Sequence, residues 1–213
     1  MKNIKFLTLV LFSMATIAVN AQATKQVYES PKLYSLVGRA KKVAILPLNV
    51  SISYKKLPKG VTVENIREDE KKESVQLQQG MFTFLLRKAN NYTVTFQDVE
   101  TTNTLLKGAG VFESLNETTP ELICKILDVD AIIKSSWSYS KTGSEAGALV
   151  SMVVLGVPKS TASGQLIMQI YEAKQGELMW RMAKEMNEGT FSSANELMER
   201  MMRKVGRNFP FEK

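Results

Sequence analysis

The feature that most constrains the fold is an alternation of short β-branched apolar runs with longer segments of helical periodicity. The run KVAILPLNV at 42–50 has little polar alternation, as expected for a strand that is covered on both faces. Residues 64–89 then carry apolar side chains at helical spacing, and YTVTF at 92–96 returns to a period of two. A strand, a long helix and a second strand predict an α/β layer rather than a helical bundle.

The second half of the chain continues this rhythm. Periodicity and capping patterns predict helices at 98–106, at 120–127 and from 193 onwards, with strands at 131–139, 163–173 and 177–186. We therefore predict an α/β fold, a two-layer or three-layer mixed sheet of about five strands with three to four helices. Residues 22–40 are predicted to form an irregular lead-in, and 41–213 a single α/β domain with an apolar insertion at 141–160.

The first 21 residues have the three parts of a secretory signal peptide. Lys2 and Lys5 precede an apolar run at 6–19, and small residues before Gln22 favour cleavage after Ala21. The run is 14 residues long, shorter than the roughly 20 that a transmembrane helix needs. We expect export to the periplasm or the outer-membrane periphery, without lipidation because the residue directly after the cleavage point is Gln22 rather than cysteine.

The composition limits the chemistry that the chain can perform. Without histidine it cannot supply Ser-His or Cys-His nucleophilic systems or the commonest zinc ligand sets. Its single cysteine, Cys124, excludes an intramolecular disulfide, and its apolar neighbours predict a buried thiol. The formal charge of +7 is spread along the chain without interleaved aromatic residues, so nucleic acid is not an expected partner. No cofactor is predicted.

Carboxylates are the remaining candidates for catalysis, because a glycan-acting enzyme could use a pair of them. The segment 128–130 lacks the other oxygen ligands of a calcium loop and is typical of a helix-to-strand turn. The glycines near 108 are better explained by a helix end than by a phosphate loop. We predict no catalytic or metal-binding residue and expect a protein that is not an enzyme. The candidate carboxylates are Asp98, Glu100, Glu113, Asp128 and Asp130.

The segment 141–160 departs from the alternating pattern. Residues 146–157 form an apolar run without a charged side chain. This run could extend the core, dock on a neighbouring subunit or partner, or touch the membrane. The residues predicted to form an interaction segment are Leu149, Val150, Met152, Val153, Val154 and Leu155.

Three phrases of the sequence resemble a family of envelope proteins: KKVAILPLNV, LDVDAIIKSSWSYS and GQLIMQIYEAKQGELMWRMAKEM. The family includes the amino-terminal domain of TolB, the lipoprotein activators of penicillin-binding proteins and the curli-secretion lipoproteins. Its pattern has a basic residue before VAVLPF, an LGAD-like turn before a later strand, and D-x-x-TGE-x-x-W in a hairpin. The corresponding positions here are 42–48, 127–131 and 172–180. The resemblance implies a TolB amino-terminal-like fold and binding of other envelope proteins.

We predict a non-catalytic accessory protein of the bacterial envelope that binds or assembles with other envelope proteins of unknown identity. One alternative is an oligomeric secretion or membrane-associated subunit that uses residues 146–157. Another is a carboxylate-based enzyme that acts on envelope glycans. A homo-oligomer and peripheral contact with the membrane are both compatible with the sequence.

Overall fold

A computed structural model describes residues 25–54, 57, 60–141, 162–188 and 194–213. Within these ranges one mixed sheet of seven strands has the order β1-β7-β6-β5-β2-β4, and β3 also pairs with β5. The predicted α/β class is confirmed, with more strands than expected. The strands are β1 Lys25–Glu29, β2 Lys42–Ile45, β3 Asn49–Tyr54, β4 Thr95–Phe96, β5 Ala131–Lys141, β6 Ala162–Glu172 and β7 Leu178–Glu188; the α-helices are α1 Leu33–Arg39, α2 Val63–Arg87, α3 Val99–Gly108, α4 Pro120–Leu127 and α5 Ala194–Val205.

The predicted strand at 42–50 is broken into β2 and β3. Both pieces run parallel to β5, with Val43 opposite Ala131 and Val50 opposite Trp137. Pro47 lies between the two pieces, where it removes a backbone donor that an unbroken ladder would need. The strand then continues to Tyr54, although the lysines and the turn signal Pro-Lys-Gly at 58–60 predict a loop over 51–61.

The prediction of an irregular lead-in at 22–40 is wrong for most of its described residues. β1 pairs antiparallel with β7, and α1 buries Leu33 and Leu36. Each element is too short to show a convincing period in the sequence, since β1 has 5 residues and α1 has 7. Their structure comes from contacts with β7 that are distant in sequence.

The sheet has a hydrophobic core on each face. Helices α2 and α5 cover the first face, where Trp137, Trp180 and Met201 are among the buried side chains. Helices α3 and α4 cover the second face beside β2 and the start of β5, where Ile123 and Ile132 are buried. Helices on both faces give the three-layer arrangement. The second helical layer is the smaller one, so it leaves part of the sheet without a helix above it in the described chain.

The predicted helix starts agree well with the structure. Asp98 accepts a hydrogen bond from the Thr101 backbone N–H at 2.9 Å, and Thr119 caps α4 with Pro120 in its first turn. A capping box between Thr62 and Asn65 begins α2. None of the helices in the described ranges is both long enough and apolar enough to cross a membrane.

Side chains of α2 cover the outer edge of the broken strand formed by β2 and β3. The three side chains that do this recur every fourth residue, so they lie in one row along the helix. Each supplies a hydrogen bond that a further strand would otherwise supply. The bonds run from Gln78 Nε2 to the Ile45 carbonyl at 2.7 Å, from Ser74 Oγ to the Leu48 carbonyl at 2.6 Å, and from the Ile52 N–H to Glu70 Oε1 at 2.8 Å.

Candidate interaction face

The second face of the sheet carries a patch of small polar side chains beyond the reach of α3 and α4. On β5, Trp137 packs into the core beneath α2, while Ser136 and Ser138 point to the opposite face. The same alternation occurs on β3, where Val50 and Ile52 are buried between exposed polar residues. We call this patch the serine face; it comprises Asn49, Ser51 and Ser53 of β3, Ser136, Ser138 and Ser140 of β5, and Gln165 of β6.

The strand register places these residues in adjacent rows across the sheet. Ser51 lies opposite Ser138, which in turn lies opposite Gln165 on β6. All three are exposed, whereas Ser136 and Ser140 are half-buried. The serine face is therefore one continuous surface built from three neighbouring strands.

The chemistry of this surface is that of hydroxyl and amide groups. Hydroxyl groups both donate and accept hydrogen bonds, and short side chains leave the pleated backbone close to a partner. Lys134, which lies on the same face of β5 two residues before Ser136, donates from Nζ to the Leu115 carbonyl at 3.2 Å, and desolvation lowers its pKa. Glu185 borders the face on β7, opposite Gln165. The serine face itself is uncharged, with the half-buried Ile167 opposite Ser136 and charged residues at its margins.

Aromatic packing on the core side holds the strands beneath the serine face. The rings of Trp137 and Tyr139 stack with centroids 5.6 Å apart. The Trp137 ring lies directly against Gly164 on β6, where any Cβ atom would overlap it. Tyr139 Oη donates to Glu73 Oε2 at 2.9 Å, and burial together with the Glu73 charge raises the pKa of this tyrosine. These contacts fix the position of the polar residues on the opposite face.

The predicted interaction segment is attached at this end of the sheet. β5 and β6 stay paired as far as Lys141 and Ala162, so the chain leaves and re-enters the sheet at neighbouring positions. Residues 142–161 lie outside the described ranges, and these include all six residues from Leu149 to Leu155 that we predicted to form the segment. Their role in interaction stays a prediction.

The candidate carboxylates have separate structural roles. Glu113 pairs with Lys71 at 3.1 Å, and Asp128 ends α4 with φ of 51° in the left-handed region. Residues 128–130 join α4 directly to β5, which confirms the predicted helix-to-strand turn. Within it, Asp130 Oδ2 accepts hydrogen bonds from the backbone N–H groups of the two residues before Val43. Within the described part of the chain, no three His, Cys, Asp or Glu residues are placed to hold a metal ion. Asp98 caps α3, and Glu100 lies in the first turn of that helix.

A shallow depression of about 520 Å³ lies beside this turn. Its lining includes Lys42, Asp128, Asp130 and Cys124, so charges of both signs meet there. Cys124 is buried, as the sequence predicts, and desolvation with the nearby Glu172 charge raises its thiol pKa to about 12. A thiol with such a pKa is protonated at neutral pH and is a poor nucleophile.

The sequence contains a signal for the serine face that a search for catalytic motifs overlooks. In 49–53 and again in 136–140, small polar residues alternate with apolar or aromatic ones at a period of two. This pattern indicates half-buried strands with a polar outer face. Which part of that face stays uncovered depends on the extent of the α3 and α4 layer, which the strand pattern does not contain.

No protein-family model and no curated protein matches the sequence. Several solved structures are similar to this chain, with low TM-scores and low identity. Lipoprotein GNA1162 from Neisseria meningitidis has a TM-score of 0.45 at 10% identity, covering 78% of this chain and 94% of its own. The LpoB C-terminal domain from Salmonella enterica has a TM-score of 0.36 at 13% identity, covering 74% of this chain and 94% of its own. The PelC dodecamer from Paraburkholderia phytofirmans has a TM-score of 0.42 at 12% identity, covering 90% of this chain and 98% of its own. Likeness at this level assigns neither a family nor a function to the chain.

Proposed function

We propose that this protein is an exported, non-catalytic accessory protein of the bacterial envelope that binds another envelope protein through its serine face. The observation that carries the proposal is a continuous polar, uncharged surface on three strands, which α3 and α4 leave uncovered on their side of the sheet in the described chain. The predicted signal peptide at residues 1–21 supports the location. The absence of histidine from the sequence supports a role in contact rather than catalysis.

The dimensions of the serine face set a limit on how it acts. Strands about 4.8 Å apart with a rise of about 3.3 Å per residue give this patch a size of roughly 15 by 15 Å. A standard interface covers about 800 Å² on each partner, which is larger than this patch. The serine face would therefore form the polar centre of a wider contact that includes the neighbouring strands.

The proposal can be tested by crosslinking in cells. A photoreactive amino acid replaces Ser138 on the serine face, and the same group replaces exposed Lys125 on α4 as the matched control. We expect the probe at 138 to capture a defined envelope protein that mass spectrometry identifies, and the probe at 125 not to capture it. An absence of captured protein at 138, or the same proteins at both positions, would contradict the proposal.

A blocking variant provides a second readout. With the probe moved to exposed Gln165, Ser138→Arg should abolish capture, because a long charged side chain prevents close approach to the flat surface. Glu68→Arg, an equally exposed change on α2, should leave capture intact. Equal capture by both variants would show that the serine face is not the contact surface.

A further inference from the structure

The strand β1 forms an outer edge of the sheet in the described chain. It pairs with β7 on one side only, from Lys25 opposite Lys184 to Glu29 opposite Trp180. The side chains of residues 26–29 are exposed, Val27 to 38% and Tyr28 to 48%. An edge strand with exposed apolar side chains is a template for pairing with another strand.

The hydrogen-bond pattern identifies which backbone groups point outwards. The Ser30 N–H donates to the Met179 carbonyl at 2.8 Å, and this pair continues the β1–β7 register by one residue. In an antiparallel ladder, hydrogen-bonded and non-hydrogen-bonded pairs alternate along the strand. Gln26 and Tyr28 therefore bond to β7. The N–H and C=O groups of the alternate residues 25, 27 and 29 point away from the sheet.

The β1 sequence is complementary to itself in the antiparallel direction. In KQVYE, an antiparallel copy centred on Val27 places Lys25 opposite Glu29 at both ends and Val27 opposite Val27. In this register the outward-pointing residues 25, 27 and 29 form three hydrogen-bonded pairs. A parallel copy in register would instead place lysine beside lysine and glutamate beside glutamate, which is unfavourable.

We propose that two copies of this chain associate through β1, in an antiparallel register centred on Val27. The two sheets would then continue across the contact, and the twofold axis would pass through the Val27 pair perpendicular to the sheet. Such an axis keeps both serine faces on the same side of the dimer. The contact uses a different edge from the function proposed above and does not depend on it.

Charge exchange at positions 25 and 29 tests this register. Lys25→Glu gives an acidic strand and Glu29→Lys a basic strand, so each variant opposes like charges at both ends of the pair. We expect either change to raise the dimer dissociation constant by about tenfold or more. The double variant should restore dimers, and mixing the two single variants should give heterodimers. Sedimentation equilibrium and native mass spectrometry of the exported chain measure these states.

A backbone variant tests the contact independently of charge. Val27→Pro removes an outward N–H and leaves the bonds to β7, so circular dichroism should show a folded protein and sedimentation equilibrium a monomer. Gln26→Pro is the matched control, because it removes a bond to β7 and should weaken the attachment of β1. Monomeric wild-type protein at all concentrations would overturn the proposal, as would dimers that persist in both Lys25→Glu and Val27→Pro. Capture of a partner by the Ser138 probe in the Val27→Pro monomer would support the accessory function separately.

Discussion

The two long edges of the sheet are treated in opposite ways. Along β2 and β3, one row of α2 side chains supplies hydrogen bonds to the outer backbone groups. Along β1, the described chain supplies no such row, and the strand ends in charges of opposite sign. Both arrangements limit uncontrolled pairing of edges, the first by covering the backbone and the second by restricting which strand fits.

This difference shows that closing an edge can be the task of a helix rather than of a strand. Glu70, Ser74 and Gln78 face the edge while Leu77 and Met81 on the same helix pack into the core. The helix therefore stabilises the fold and blocks one edge with adjacent rows of side chains. The edge at β1 remains available for a partner, which is the basis of the proposed self-association.

Replacement of Gln78 should have the largest effect on the covered edge. Gln78 is fully buried, donates to the Ile45 carbonyl and exchanges hydrogen bonds of 3.0 Å with the Asn103 amide. Gln78→Leu would leave buried polar groups without partners, so we expect a loss of about 3 kcal/mol in the free energy of unfolding. Urea denaturation measures this loss. The control is Gln79→Leu at the exposed neighbouring position, which should change the free energy of unfolding by less than about 0.5 kcal/mol. Similar losses in the two variants would refute the role of Gln78 in covering the strand edge.

Loss of the Glu70 carboxylate should have a smaller effect. This half-buried side chain accepts a hydrogen bond from the Ile52 N–H, so Glu70→Ala should lower the unfolding free energy by about 1.5 kcal/mol. It should also increase association at high concentration by uncovering β3, which light scattering can follow. Glu68→Ala on the exposed side of the same turn is the control. If both variants behave alike, then α2 does not protect this edge.

The α2 helix also shows how far the sequence can predict the fold. Its apolar face at Leu77, Met81, Phe84 and Leu85 is predicted by helical spacing and is buried in the structure. The row of Glu70, Ser74 and Gln78 is not predicted, because polar residues at every fourth position give the same sequence pattern whether they face water or a strand edge. The charge run at 67–73 therefore reads as a solvated surface, although Glu70 and Glu73 within it are half-buried and hydrogen-bonded.

The candidate surfaces are predictable to different extents for related reasons. The alternation around Ser138 predicts a polar outer face, but the area left open is decided by where α3 and α4 pack. The sequence does not predict β1, because five residues carry too little periodicity to distinguish a strand from a loop. It predicts the core elements because their apolar residues repeat over longer stretches. Features decided by contacts distant in sequence, such as a closed or an open edge, need the tertiary structure.

The smallest expected effect is at the start of β2, on the side that faces β5, where Asp130 accepts hydrogen bonds from the backbone N–H groups of Lys41 and Lys42 at 2.8 and 3.0 Å. Burial acts to raise the pKa of Asp130, but these bonds and the lysine charges lower it overall from 3.8. A lowered pKa in the folded state means that the ionised carboxylate stabilises the fold above about pH 4, and that this contribution disappears as the pH falls further.

Asp130→Asn should therefore lower the unfolding free energy at pH 7 by about 1 kcal/mol or less, because the group is largely exposed. The difference between wild type and variant in urea denaturation should shrink as the pH falls below about 4. A difference that stays constant between pH 7 and pH 3 would mean that the charge of Asp130 contributes nothing to stability. The start of β2 would then be held by its backbone pairing with β4 and β5, without help from an ionised carboxylate.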